Sequence, residues 1–296
     1  MLDGVLVIDK PAGLTSHQVV AEVSRRLGRA KTGHAGTLDP MATGVLVVLV
    51  GEATKIAAVL TADAKAYDGE LELGVETDTL DAEGTVVRER RDEAAAIDRA
   101  ALETAMRGLV GAGQQTPPMY SAIKQGGRRL HELARAGTEV ERAARPITIG
   151  RFDLVGFDPP RAAFAVDCSK GTYVRSLVAD LGEALGCGAH LTRLRRTRSG
   201  SFEIARALPL AEVDPGSVGA RLVPIAEAVR HLPTAQVPTD LERAVLTGKP
   251  LQWNQFSPDE APPGAIALVA GGALLALAEV EPATGRVRYR RVFRAP

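Results

Sequence analysis

Residues 45–50 read VLVVLV, six branched aliphatic side chains with no polar one among them. A strand with one wet face alternates apolar and polar residues, so an unbroken run of this kind reads as a central strand. The segment just before it, KTGHAGTLDPMATG (31–44), has the opposite character and breaks every regular pattern. Around these two stretches the chain is periodic. A β-prone run at 5–8 ends in the turn cluster Asp9-Lys10-Pro11-Ala12-Gly13. Thr15-Ser16 caps a helix with Val19, Val20, Val23 and Leu27 at helical spacing, and Gly28 stops it. Residues 67–73 alternate as a strand, 74–84 form a polar loop closed by glycine, and 97–109 form a helix. Strands at 147–157 and 162–169 precede a helix over 175–185, with Leu177, Leu181 and Leu185 in register.

The length of 296 residues suits one large domain, or a large one with a small one. A hydrophobic content of 45% excludes global disorder. Cys168 and Cys187 stand 19 positions apart, which excludes a disulfide scaffold or a cysteine zinc site and suits a reducing cytoplasm. The first ten residues carry two aspartates and too short an apolar run for a signal peptide. Residues 261–278 hold no charge, but Pro262, Pro263 and the pair Gly271-Gly272 divide them. Two strand-length runs around Gly-Gly imply a buried hairpin and no membrane span. Prolines 209, 215, 224, 233 and 238 place a domain boundary near residue 230.

Lys and Arg total 36 and so do Asp and Glu, so any polyanion partner must be argued from local clusters. Residues 68–103 carry a net −8, while 114–145, an apparent inserted arm, carry a net +4 when Arg151 just beyond it is included. Five arginines fall in 190–206 and five more in 286–294. One such cluster is ordinarily a solvated face; three together point toward a nucleic acid.

Catalytic frameworks are mostly missing from the sequence. His131-Glu132 lacks the second histidine of a zinc helix, and there is no phosphate-cradling glycine loop or nucleophile elbow. What remains is Gly33-His34-Ala35-Gly36-Thr37-Leu38-Asp39-Pro40-Met41-Ala42-Thr43-Gly44. Its three glycines let backbone approach a ligand closely, and the proline holds Asp39 extended. Asp-Pro is also an ordinary turn pair, so the residues alone leave the role of Asp39 open.

This loop closely resembles the active-site loop of the TruB family of tRNA pseudouridine synthases. Asp9-Lys10-Pro11-Ala12-Gly13-Leu14-Thr15-Ser16, Lys65-Ala66-Tyr67, GVETDTLDAEG (74–84), CSKGTYVRSL (168–177) and LTRLRRTRSGSF (191–202) resemble five further motifs of that family, in order. The resemblance implies a pseudouridine synthase fold, α+β with a mixed, largely antiparallel central sheet and flanking helices. It assigns 1–229 to the catalytic domain, with 114–145 as a thumb-like RNA clamp. It assigns 230–296 to a small, mostly β, PUA-like RNA-binding domain.

By the same resemblance Asp39 is the nucleophile, Arg175 its partner and Tyr67 the aromatic that stacks on the target base. An adjacent guanidinium keeps an enclosed carboxylate ionised. Tyr173 lies beside the base, His34 enters the RNA stack where the base was, and Leu194 lines the base pocket. Lys10 supports the loop, and Arg195 and Arg196 contact RNA. The implied reaction isomerises the uridine at position 55 of the tRNA T-loop after flipping it out of the stack. It needs no cofactor, metal or protein partner, and the chain is expected to act as a cytoplasmic monomer. A guide-RNA-dependent relative would share the loop but lack the arm, and a non-catalytic tRNA-folding protein would use the basic clusters alone.

Overall fold

The structure is a computed structural model that describes residues 2–121 and 123–294. Among them, one sheet contains β1 (Gly4–Lys10), β2 (Thr32–His34), β3 (Thr43–Val50), β4 (Lys65–Leu73), β5 (Gly111–Gln115), β6 (Arg145–Asp158), β7 (Arg161–Cys168), β8 (Ala189–Ser199), β9 (Phe202–Glu203) and β10 (Leu208–Pro209). The strand order is β10-β1-β3-β8-β4-β7-β6-β5, with β2 added to β3 and β9 to β8. Pairing is antiparallel except where β10 meets β1 and β8 meets β3. The VLVVLV run is buried throughout and pairs with β1 on one side and, at residues 48–50, with β2 on the other, and its lack of alternation follows from cover on both faces.

On one face Leu6, Ile8, Leu46 and Val48 pack with the helices α1 (Ser16–Arg26), α2 (Arg99–Gly108) and α3 (Val174–Ala184). The start of α1 is fixed by a capping box: the Gln18 amide N–H donates to the Thr15 hydroxyl, and the Thr15 N–H donates to the Gln18 side chain. Thr32–His34, expected as loop, pairs with residues 48–50 and so brings His34 against the sheet. The arm at 114–145 contains a two-stranded hairpin, Lys124–Gln125 with Arg128–Arg129, and the helix Leu130–Arg135.

A second sheet, ordered β11 (Thr234–Gln236), β12 (Ile266–Ala270), β13 (Ala273–Val280) and β14 (Val287–Val292), closes the chain. Gly271 and Gly272, at φ +55° and +80°, make the tight turn between β12 and β13. Among the described residues no helix is long and apolar enough to cross a membrane. Leu268, Leu275, Val245 and Trp253 give this sheet a core of its own. Its other side is not independent. Ala267, Val269, Leu274, Leu277 and Phe293 share one buried cluster with Val5, Val7, Val45, Val47 and Leu49 from the back of the main sheet. Lys55 Nζ donates to the Val292 carbonyl at 2.8 Å and lies 5.5 Å from the centre of the Phe293 ring.

The shared cluster sets an expectation for stability. Phe293→Ala should cost about 3 kcal/mol in urea unfolding, the usual scale for emptying a buried aromatic position. Removal of 230–296 should leave a chain that binds hydrophobic dyes and loses its cooperative transition; a soluble, sharply melting fragment would show that the sheet does not need this cover.

Candidate active site

Asp39 sits in the turn between β2 and β3, and Arg175 in the first turn of α3. Arg175 Nε donates to Asp39 Oδ2 at 2.9 Å and Nη2 to Oδ1 at 3.1 Å, a two-pronged pair. The remaining donors are also used: Nη1 binds the Thr79 carbonyl at 2.8 Å and lies 3.4 Å from Asp81 Oδ2, and Nη2 donates to the Tyr120 carbonyl at 2.8 Å. The guanidinium is 4% exposed while the Asp39 side chain keeps 33% of its surface. The pair therefore presents a partly exposed carboxylate from a buried, saturated base. Tyr120 belongs to the arm, so the same guanidinium ties the arm's root to the aspartate.

The Asp39 turn is gripped from below. Lys10, wholly buried, donates from Nζ to the carbonyls of Pro11 (2.9 Å), Pro40 (3.0 Å) and Ala42 (2.8 Å). Burial pushes its ammonium down from 10.5 to about 8, against the opposing pull of Asp39 and Glu83. Ser16 Oγ accepts from the Leu38 N–H at 2.8 Å and donates to the Leu38 carbonyl at 3.1 Å, which fixes the residue before Asp39.

Two tyrosines stand near the carboxylate. Tyr67 on β4 is buried, and Tyr173 caps α3 with its backbone held by Gln115, whose Oε1 accepts from the Tyr173 N–H at 2.8 Å. Burial pushes both phenols up, and the Asp39 charge adds to the rise in each. Leu194 is buried in the α1–α3 core directly opposite Gly69 on β4. Burial, with repulsion from Arg196 and His17, pushes the His34 imidazole below its ordinary range, and its Nδ1 is buried without a hydrogen bond. Asp39, Arg175, Tyr67, Tyr173 and Lys10 thus share one region.

The basic cluster at 190–206 departs from its expected use. Arg193 pairs with Glu70, Arg195 with Asp9 at 2.7 Å, Arg198 with Asp167 and Arg206 with Glu227. Arg196, expected at the RNA surface, is 1% exposed and turned inward to backbone carbonyls. Acids on β1, β4 and β7 neutralise this strand because the sheet brings them beside it. Much of the acidic stretch at 68–103 is likewise paired with arginines within the chain, for example Glu76 with Arg90 and Glu72 with Arg91. Asp81, Ser16 and Gln115 escaped the sequence reading. Only Asp81 had a signal, a second acid in a polar loop, and nothing local marks it as buried.

Comparison with known proteins gives the same direction. The profile of the TruB family pseudouridylate synthase N-terminal domain matches residues 24–174, and that of the tRNA pseudouridylate synthase B C-terminal domain matches 175–218. Two proteins named tRNA pseudouridine synthase B are similar over long spans. One, from Azoarcus sp., is 41% identical over 296 residues, covering 99% of this chain and 95% of its own. The other, from Aromatoleum aromaticum, is 46% identical over 254 residues, covering 85% and 82%. A crystal structure of a Cbf5-Nop10-Gar1 complex contains a chain with a TM-score of 0.76 and 27% identity, covering 98% of this chain and 85% of that one. A Nop10-Cbf5 complex of the archaeal box H/ACA sRNP shares the fold at a TM-score of 0.73 and 24% identity, covering 98% and 86%. A profile match over half the sequence and relatives this similar along nearly its whole length make the conclusion plain: the chain belongs to the TruB family of pseudouridylate synthases.

Proposed function

We propose that this protein converts uridine to pseudouridine in tRNA, acting without a guide RNA on the uridine at position 55 of the T-loop. The observation that carries the reading is the Asp39–Arg175 pair, a partly exposed carboxylate held in one orientation by a buried guanidinium. Identity of 41–46% to proteins named tRNA pseudouridine synthase B supports tRNA as the substrate over the assemblies of the Cbf5 structures.

In the proposed course the uridine is everted and stacks on Tyr67, with Tyr173 beside it. Asp39 attacks the uracil ring or the ribose anomeric carbon, and the bond between C1′ and N1 breaks. The detached base turns, C5 bonds to C1′, the bond to Asp39 breaks and returns its carboxylate, the C5 proton leaves and N1 takes one up, so atoms balance with no net redox change. Arg175 supplies the fixed counter-charge throughout. The arm and the arginine-rich strand β14 are the proposed clamps on the RNA, with the division of the chain falling near residue 230.

Three outcomes test this. Asp39→Asn should lower release of tritium from C5-labelled uridine in an unmodified tRNA transcript at least about a thousandfold, with RNA affinity within about threefold, because the carboxylate acts in the chemical step. Arg175→Lys keeps the charge but not the fork, and turnover should fall at least about tenfold. Unchanged turnover would remove the pairing from the mechanism.

The third concerns pH. Lys10 and Lys65 are both pushed down to about 8 by burial. A neutral amine has two N–H groups, enough for the two carbonyls that Lys65 meets but not for the three held by Lys10. Between about 8 and 10.5 the unfolded chain binds a proton that native Lys10 has shed, so this group's contribution to stability rises with pH there. Turnover should nevertheless fall as pH rises through about 8, because the aspartate turn loses a tie. Parallel loss of turnover and melting temperature would point to unfolding instead.

A further inference from the structure

The proposed reaction leaves one buried charge of the site without a part. Arg196 Nε donates to the Val45 carbonyl at 2.7 Å, Nη2 to Gly36 at 3.1 Å and Nη1 to Thr37 at 3.4 Å. One planar fork therefore grips the strand leaving the active-site loop and the stretch leading into Asp39. On the neighbouring strand Arg196 stands directly opposite Tyr67, and its charge acts on the Tyr67 hydroxyl.

Two glycines of the loop lie against this residue. Gly44 has φ +96°, and a Cβ there would lie 2.3 Å from the Arg196 carbonyl oxygen and 2.9 Å from its nitrogen. Gly36 has φ +95°, and a Cβ there would lie 3.6 Å from Arg196 Nη1. The Arg196 backbone leaves no room for a side chain at Gly44, while at Gly36 the contact with Arg196 is an ordinary one and the positive φ is what favours glycine.

We propose that Arg196 is a positioning residue that fixes the Asp39 loop and the Tyr67 ring in one mutual geometry, so that carboxylate and aromatic face meet the same nucleobase. It rests on the reading that the site forms pseudouridine. A contact to RNA phosphate would require free donors at the surface, whereas these are buried and spent on backbone carbonyls. Burial pushes the Tyr67 phenol up and the Arg196 charge acts against that rise, so the same guanidinium also sets the electrostatics beside the base. A lysine could supply the charge but not three donors in a plane.

The test compares wild type with Arg196→Lys and Arg196→Ala. It measures single-turnover pseudouridine formation at saturating unmodified T-arm RNA, RNA affinity and its salt dependence, and thermal unfolding. Displacement of the reacting groups by about 1 Å should lower turnover about a hundredfold in the lysine variant. RNA affinity should stay within about threefold, and the salt slope should not change. Added guanidinium should restore part of the turnover of the alanine variant and leave wild type unaffected. Turnover within about threefold of wild type, or affinity that falls in step with turnover with a salt slope smaller by about one, would overturn the proposal.

Should neither variant fold, arginine-labelled wild-type protein gives the answer by NMR. The Arg196 Nε–H signal should stay protected from exchange and hold its position when RNA is added, and a shift toward phosphate contact would overturn the proposal. Wild type that forms no pseudouridine would instead sink the functional reading and leave this one aside.

Discussion

A guanidinium can leave water only where oxygens take up its donors, and this condition organises the centre of the molecule. Arg175 spends its donors on two carboxylates and two carbonyls drawn from three separate stretches of chain. Removing any of these partners would strand part of a buried charge. The aspartate turn, the polar loop at 74–84, the arm's root and the start of α3 must therefore all arrive together. The same rule explains Lys10, whose three carbonyl partners close the turn from beneath. Both cations are buried and leave the carboxylate as the exposed member of the group.

How far the sequence announces this depends on what kind of information each residue carries. The central strand is legible because six aliphatic residues in a row have no solvent-facing solution, and the helices show through the spacing of Val19, Val23, Leu177 and Leu181. The hairpin around Gly271-Gly272 is legible from turn chemistry. Asp39 and Arg175 stand out through likeness to a known motif, since charge and spacing alone leave an Asp-Pro pair ordinary.

Long-range pairing is what the sequence hides. Arg193, Arg195, Arg196 and Arg198 look alike on paper, yet three meet acids and one is swallowed by the sheet, because each outcome depends on what the neighbouring strands bring. The burial of Asp81 and the role of Gln115 are hidden for the same reason, their partners being 94 and 58 positions away. The short strand Thr32–His34 is also unreadable from composition, since its glycine-containing sequence pairs only because β3 offers it an edge.

The shared cluster beneath the main sheet carries one more consequence. Phe293 and its neighbours on β12 and β13 are moulded to Val5, Val47 and Leu49, so the two halves have matching relief, like a casting and its mould. A terminal module transplanted from a distant relative would bring its own contour. Grafts in this lineage should succeed only when the underside of the receiving sheet travels with the donor piece, which makes the pair, and not either half, the unit of exchange.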